Sequence, residues 1–273
     1  MQASQPGSLH PWTLAGDTPA RALQAQGFVL LAPPEFSSLI TVPVEVMARW
    51  QASWDRLPAD RYLRDGGRYR SRRHGCYIQE AETGDLTPVP GRPHWQSTDY
   101  NALHGGIERW FEPLEEALAG DPHWMTLLRS LGEFFGRLVG VERWYIEAHQ
   151  FRIDASEGVG RPTPEGAHRD GVDFVAVILV KRLDVKGGET RVFQADGPLG
   201  VRFVIEQPWS ALLLDDARVV HESTPIQPTG PTPVRDTLVL TYRRGDFQHS
   251  QALPARPAPA ASPAADDPGP ARR

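Results

Sequence analysis

The stretch Glu165-Gly-Ala-His168-Arg-Asp170-Gly171 sets an imidazole and a carboxylate two residues apart, directly before the most apolar run of the chain, Val172 to Val180. In extended backbone side chains alternate between faces, so residues two apart share a face and the heads of His168 and Asp170 converge on one point. A metal ion fits there. A third ligand must come from a neighbouring strand, and His221 is the candidate, in Leu-Leu-Leu-Asp-Asp-Ala-Arg-Val-Val-His221-Glu-Ser-Thr, after an apolar strand and a tight turn. Two imidazoles and one carboxylate make the facial triad that leaves half of an octahedral iron(II) open, whereas zinc more often takes three histidines, or two with a glutamate. Asp215 and Asp216 read as a turn rather than as a second carboxylate site.

Fourteen residues past His221, Arg235 opens the last apolar strand, and the period of two puts Arg235, Thr237, Val239, Thr241 and Arg243 on one face. A guanidinium pointing into an apolar barrel cannot shed its charge, so it requires an anionic partner, and a carboxylate of a small dianion suits its fork. Thr237 and Thr241 add hydroxyl donors. Arg243 faces the same way as Arg235 and is the rival anchor. Glycine at Gly171 lets the chain turn close to the metal.

These side chains need elements to hold them. Thr18-Pro19 starts a helix that runs to Gln26 and stops at Gly27, and Phe28 to Leu31 reads as a short buried strand. Val46, Met47, Trp50 and Trp54 recur at helical spacing between Val44 and Leu57. Arg68 to Gly75 alternates, with Arg68, Arg70 and Arg72 on one side, as an anion site or as a solvated edge strand. Glu80 to Asn101 is turn-rich and expected to run over the surface. Spacings of three and four predict a helix over Ile107 to Leu118, and Asp121-Pro122 caps a second one through Leu138 whose aromatic stripe is core. From Trp144 to Tyr242 short apolar strands separated by turns, with no helix pattern between them, predict a sandwich or barrel.

The 273 residues, 40% hydrophobic and 23% charged, suit one domain over 17–250, with a helical part about 17–143 and a barrel part about 144–250. Residues 1–16 read as an extension, and 251–273 as a disordered Pro/Ala-rich tail. A net charge of -5 gives no basic footprint for nucleic acid. The start has no leader pattern, no apolar run is long enough for a membrane, and Cys76 is the lone cysteine, so a cytoplasmic protein is expected. No phosphate loop or nucleophile elbow is present. In Trp144 to Ile153, His149 shares a face with Phe151 and Ile153 while Gln150 and Arg152 take the other, and parity leaves open which pair meets a substrate. His74, His104 and His123 have no identifiable partner.

His168-x-Asp170, the distal His221 and Arg235 resemble the iron(II)/2-oxoglutarate-dependent dioxygenases. His149-Gln-Phe-Arg-Ile153, Glu165 to Gly171, Gly187-Gly-Glu-Thr190 and Arg235-Asp236 resemble the bacterial group that includes free L-isoleucine 4-hydroxylases. The resemblance is strongest from about Trp144 to Arg243. It implies a mainly β fold with packed helices (α+β), a cupin-like double-stranded β-helix or jelly roll. It implies iron(II) on His168, Asp170 and His221, with 2-oxoglutarate anchored by Arg235 and oxidised by O2 to succinate and carbon dioxide. The substrate it implies is a free L-amino acid, with Arg70, Gln150, Arg152 and Glu165 as the expected contacts. A hydroxylase of a protein side chain and a non-catalytic jelly-roll binding protein are the competing readings.

Overall fold

Thr18 caps α1 (Pro19–Gln26) by accepting from the Arg21 amide at 3.3 Å, and Gly27, at φ 81°, ends it where a side chain would be strained. These lie in a computed structural model that describes residues 18–101 and 103–249, so the expected N-terminal extension and C-terminal tail fall outside the described residues. After β1 (Phe28–Leu31) come α2 (Pro33–Ile40) and α3 (Val44–Trp50), the latter tightening into a 3-10 turn over Gln51–Arg56. Next are β2 (Arg70–Glu80), β3 (Leu86–Val89), α4 (Glu116–Ala119) and α5 (Pro122–Val139). The remaining strands are β4 (Arg143–Asp154), β5 (Phe174–Leu183), β6 (Val185–Gly187), β7 (Thr190–Gln194), β8 (Gly200–Phe203), β9 (Ala211–Asp215), β10 (Val219–Ser223), β11 (Ile226–Pro228) and β12 (Val234–Arg243).

The helix expected over Ile107 to Leu118 is not formed beyond Glu116–Ala119. Pro113 lacks an amide donor and pushes the preceding residue out of the helical region. The chain before it pairs elsewhere: His94 and Arg109 exchange backbone hydrogen bonds of 2.9 and 3.0 Å, and Trp110 is 58% exposed rather than core. The stretch Glu80 to Asn101 does not simply skirt the surface as expected either, since His94, Gln96 and Asn101 are buried, as are His104 and Arg109 further along the 81–113 connection.

Two sheets of the jelly roll face each other. The larger runs β1-β9-β5-β12-β4-β2-β3, every pair antiparallel, and β10-β7-β8 with the β11-β6 pair stand opposite. Three strands of the larger sheet thus precede Arg143. Parity then divides the large sheet. Ile146, Ala148, Ala176, Ile178, Leu238 and Leu240 pack against Trp124, Leu127, Leu131 and Phe135 of α5, forming the main core. Val175, Leu179, Leu212 and Leu214 turn inward to Val192 and Val219 of the small sheet. The odd positions of β4 and β12 line a cavity between the sheets.

Asp121 ties α5 to the rest, its carboxylate accepting from the His123 amide and from Trp50 Nε1, both at 2.8 Å. Asp121→Ala removes the cap and strands a donor, which costs about 1–2 kcal/mol and lowers Tm by about 2–8 °C for a chain of this size in thermal unfolding. Among the described residues no helix is long and apolar enough to cross a membrane.

Candidate active site

His168 and His221 meet because their backbones form a two-way bridge, His168 N to His221 O at 3.1 Å and the reverse at 2.9 Å. The bridge sets the rings side by side, 4.7 Å between centroids. His168 Nδ1 lies 2.9 Å from the carbonyl of Gly166, which can only accept, so the proton sits on Nδ1 and the Nε2 lone pair is free. That Nε2 is 3.9 Å from Asp170 Oδ1, and His221 Nε2 is 3.7 Å from Asp170 Oδ2. The three donor atoms lie within 4.8 Å of one another. Burial opposes protonation of His168, but the charges of Asp170 and Glu165 outweigh it and raise its pKa, while burial and then His168 hold His221 well below the usual histidine range. His221 Nδ1 is buried without a partner. Two imidazoles and one carboxylate presented on one side, with the rest of the sphere facing the cavity, fit a six-coordinate iron(II) with open positions.

The loop that carries Asp170 is held by a residue that sequence reasoning read as a plain turn. Asp216 does follow a strand into a turn, yet it is fully buried and its carboxylate accepts from the amides of Asp170, Gly171 and Val172 at 2.9, 2.8 and 3.2 Å. Burial, with the charge of Asp170 adding to it, pushes the Asp216 carboxyl up to about 7. Gly171 has φ 75°, and a Cβ there would lie 2.5 Å from the Tyr100 ring, so the turn that follows Asp170 requires glycine.

Arg235, Thr237, Val239, Thr241 and Arg243 all line the cavity, as the period of two predicts. Arg235 is 3% exposed and its Nη2 has no partner, whereas Arg243 is half-buried and spends Nη1 on the Asp246 carbonyl at 2.6 Å. Burial, reinforced by nearby Arg182, lowers the Arg235 pKa to about 10, which leaves it charged at neutral pH. A buried cation with a free N–H fits the far carboxylate of 2-oxoglutarate. Arg70 and Glu165 also line the cavity. Arg70 is buried rather than solvated, salt-bridged to Asp60 at 2.7 Å with Nη2 free, and Glu165 keeps Oε2 without a partner.

Gln150 and Arg152 are not in the cavity. They occupy the even positions of β4, which face the helices: Gln150 donates to Ser53 Oγ at 2.7 Å, and Arg152 holds both oxygens of Asp236 at 2.7 Å. Their expected substrate contact is corrected to a structural one, and the pair that meets the cavity is His149 with Phe151. Gln96, Asn101 and Arg109 were missed. Gln96 Nε2 donates to Asp170 Oδ1 at 3.1 Å while its Oε1 accepts from Arg109 Nη2 and Asn101 Nδ2 at 2.9 and 3.1 Å. They sit on irregular backbone, where no periodicity marks a buried side chain.

Known proteins are similar to this chain in sequence and fold. A crystal structure of a BsmA homologue from Methylobium petroleophilum PM1 is 55% identical and superposes with a TM-score of 0.82, covering 85% of this chain and 94% of that one. The 3(1)-hydroxy-L-isoleucine 4-dioxygenase of Pantoea ananatis (strain AJ13355) is 25% identical over 201 residues, 71% of this chain and 79% of that protein. The L-isoleucine-4-hydroxylase of Bacillus thuringiensis is 23% identical over 226 residues, 81% and 89% of the two chains. A family model described as 2OG-Fe dioxygenase matches residues 51–241, a span that takes in His168, Asp170, His221 and Arg235, and the chain belongs to that family.

Proposed function

We propose that this iron(II)/2-oxoglutarate-dependent dioxygenase hydroxylates a free small amino acid, with His168, Asp170 and His221 as iron ligands and Arg235 as the anchor of 2-oxoglutarate. The observation that carries the reading is the unpaired, buried Arg235 in the same cavity as the three-ligand cluster. When bound, iron(II), 2-oxoglutarate and O2 supply the oxidising chemistry of the family, and the cosubstrate leaves as succinate and carbon dioxide. The protein's own part is positional. Arg235 forks onto the far carboxylate, Thr237 and Thr241 donate hydroxyls beside it, and the apolar Val177 and Val239 keep water from the reacting carbon.

The amino acid is supported by two relatives that act on isoleucine or its hydroxy derivative, and by free polar atoms of both signs in the cavity. Arg70 Nη2 and Arg109 Nε suit an α-carboxylate, and Glu165 Oε2 suits an α-ammonium group. His94, Gln96, Asn101 and Arg109 of the 81–113 connection join the strands in lining the cavity, which favours a small molecule over an extended peptide. A cytoplasmic setting suits the lone thiol of Cys76. Purified protein with iron(II), ascorbate, 2-oxoglutarate and a panel of L-amino acids is expected to form succinate faster with at least one amino acid, and not with the matching 2-hydroxy acid. No stimulation across the panel would remove amino acids as the substrate class.

A further inference from the structure

We propose that His74, His94, Glu147 and His149 form a second divalent-metal site, of zinc type, that clamps the 81–113 connection onto the large sheet. The register builds the cluster. β2 and β4 place His74 opposite His149 and Cys76 opposite Glu147, all on the face that looks away from the helices, and His94 comes down from the connection above. All four ligand residues are more than nine-tenths buried, and one ligand atom from each lies within 4.8 Å of the others.

The distances discriminate between a hydrogen-bonded carboxylate and a metal cage. His94 Nδ1 is 2.7 Å from Glu147 Oε2, a hydrogen bond. His149 Nε2 and His74 Nε2 stand 3.4 and 3.6 Å from the same oxygen, beyond hydrogen-bond length. With ligand bonds of about 2.0–2.1 Å, the edge of a tetrahedron around zinc is about 3.3–3.4 Å. Two of the three edges from Glu147 Oε2, those to His149 and His74, are therefore close to the tetrahedral length, the third is shorter, and Glu147 Oε1 is left buried without a partner.

Two neighbours shape the site. Arg72 Nη2 lies 2.8 Å from His149 Nδ1 and donates to it, which places the proton of the neutral ring on Nε2; ligation through Nε2 requires that proton to move to Nδ1 and the Arg72 hydrogen bond to be given up. Cys76 Sγ is 3.5 Å from His74 Nε2 but stands outside the four-residue cluster, which leaves the three rings and the carboxylate as the donor set. His94, Glu147 and His149 border the cavity, which provides a way in for the ion.

The site is independent of the proposed iron triad, and the test keeps them apart. Metal-stripped His168→Ala/His221→Ala protein, titrated with zinc chloride and counted after gel filtration, is expected to hold one zinc per chain, with slowed hydrogen exchange at amides 92–109. Adding His94→Ala abolishes that equivalent. In the otherwise unchanged protein His94→Ala alone, with His94→Gln as a second replacement, lowers the zinc count by one. A zinc count that neither His94 replacement changes overturns the site and leaves the rings as packing around Glu147. Bound zinc with unaltered exchange overturns the clamp.

Discussion

Arg235→Ala raises the 2-oxoglutarate concentration for half-maximal turnover by about 10²- to 10³-fold, the loss expected when one partner of a buried charge pair is removed, while Arg243→Ala changes it by less than about fivefold, as for an exposed contact. The difference follows from what each guanidinium already holds. Arg243 donates to a carbonyl at the rim, whereas Arg235 is buried with a free N–H and another arginine, Arg182, for company. Without its cosubstrate Arg235 is a destabilising charge. Arg235→Met therefore raises Tm of the ligand-free protein, by roughly 2–4 °C for each kcal/mol of desolvation relieved, and 2-oxoglutarate raises Tm of the unaltered protein but not of the variant. Melting curves in the presence and absence of the cosubstrate read both effects. A variant that keeps its cosubstrate-induced shift would move the anchor to another residue.

Asp216→Ala weakens iron(II) binding by about 10–100-fold, the usual consequence of losing a group that orients a ligand, though Asp216 lies outside the proposed triad. It removes the acceptor of three amides, at Asp170, Gly171 and Val172, that have no other buried partner to turn to. The same change costs at least roughly 3 kcal/mol of stability, because stranded buried donors cost about 1–3 kcal/mol each. Asp216→Asn keeps the volume but turns a donor toward the amides, so it falls between the two. Anaerobic iron(II) titration separates the roles: a variant that melts lower with undiminished iron affinity would make Asp216 structural only.

Much of this site was legible because strands obey a period of two. The facing of β12 follows from Arg235, Thr237 and Thr241 alone, and the pairing of His168 with Asp170 follows from the same rule. Parity could not say which face of β4 looks inward, because His149 and Phe151 are no more apolar as a set than Gln150 and Arg152 are polar. The deciding fact is that α5 and the Gln51–Arg56 turn cover the even face. His221 was found by type and order, but its strand β10 was not, being only five residues long with three polar ones. Pro113 carried the information that the Ile107 stripe would not be helical. Gln96, Arg109 and His94 are buried on irregular backbone, and only tertiary contacts reveal them.

Gln96 joins that irregular connection to the carboxylate of Asp170, and its other end holds Arg109 and Asn101. The carboxylate proposed as an iron ligand is thus also the fastening of the 81–113 connection, and by thermodynamic reciprocity whatever one contact adds to the strength of the other is returned in equal measure.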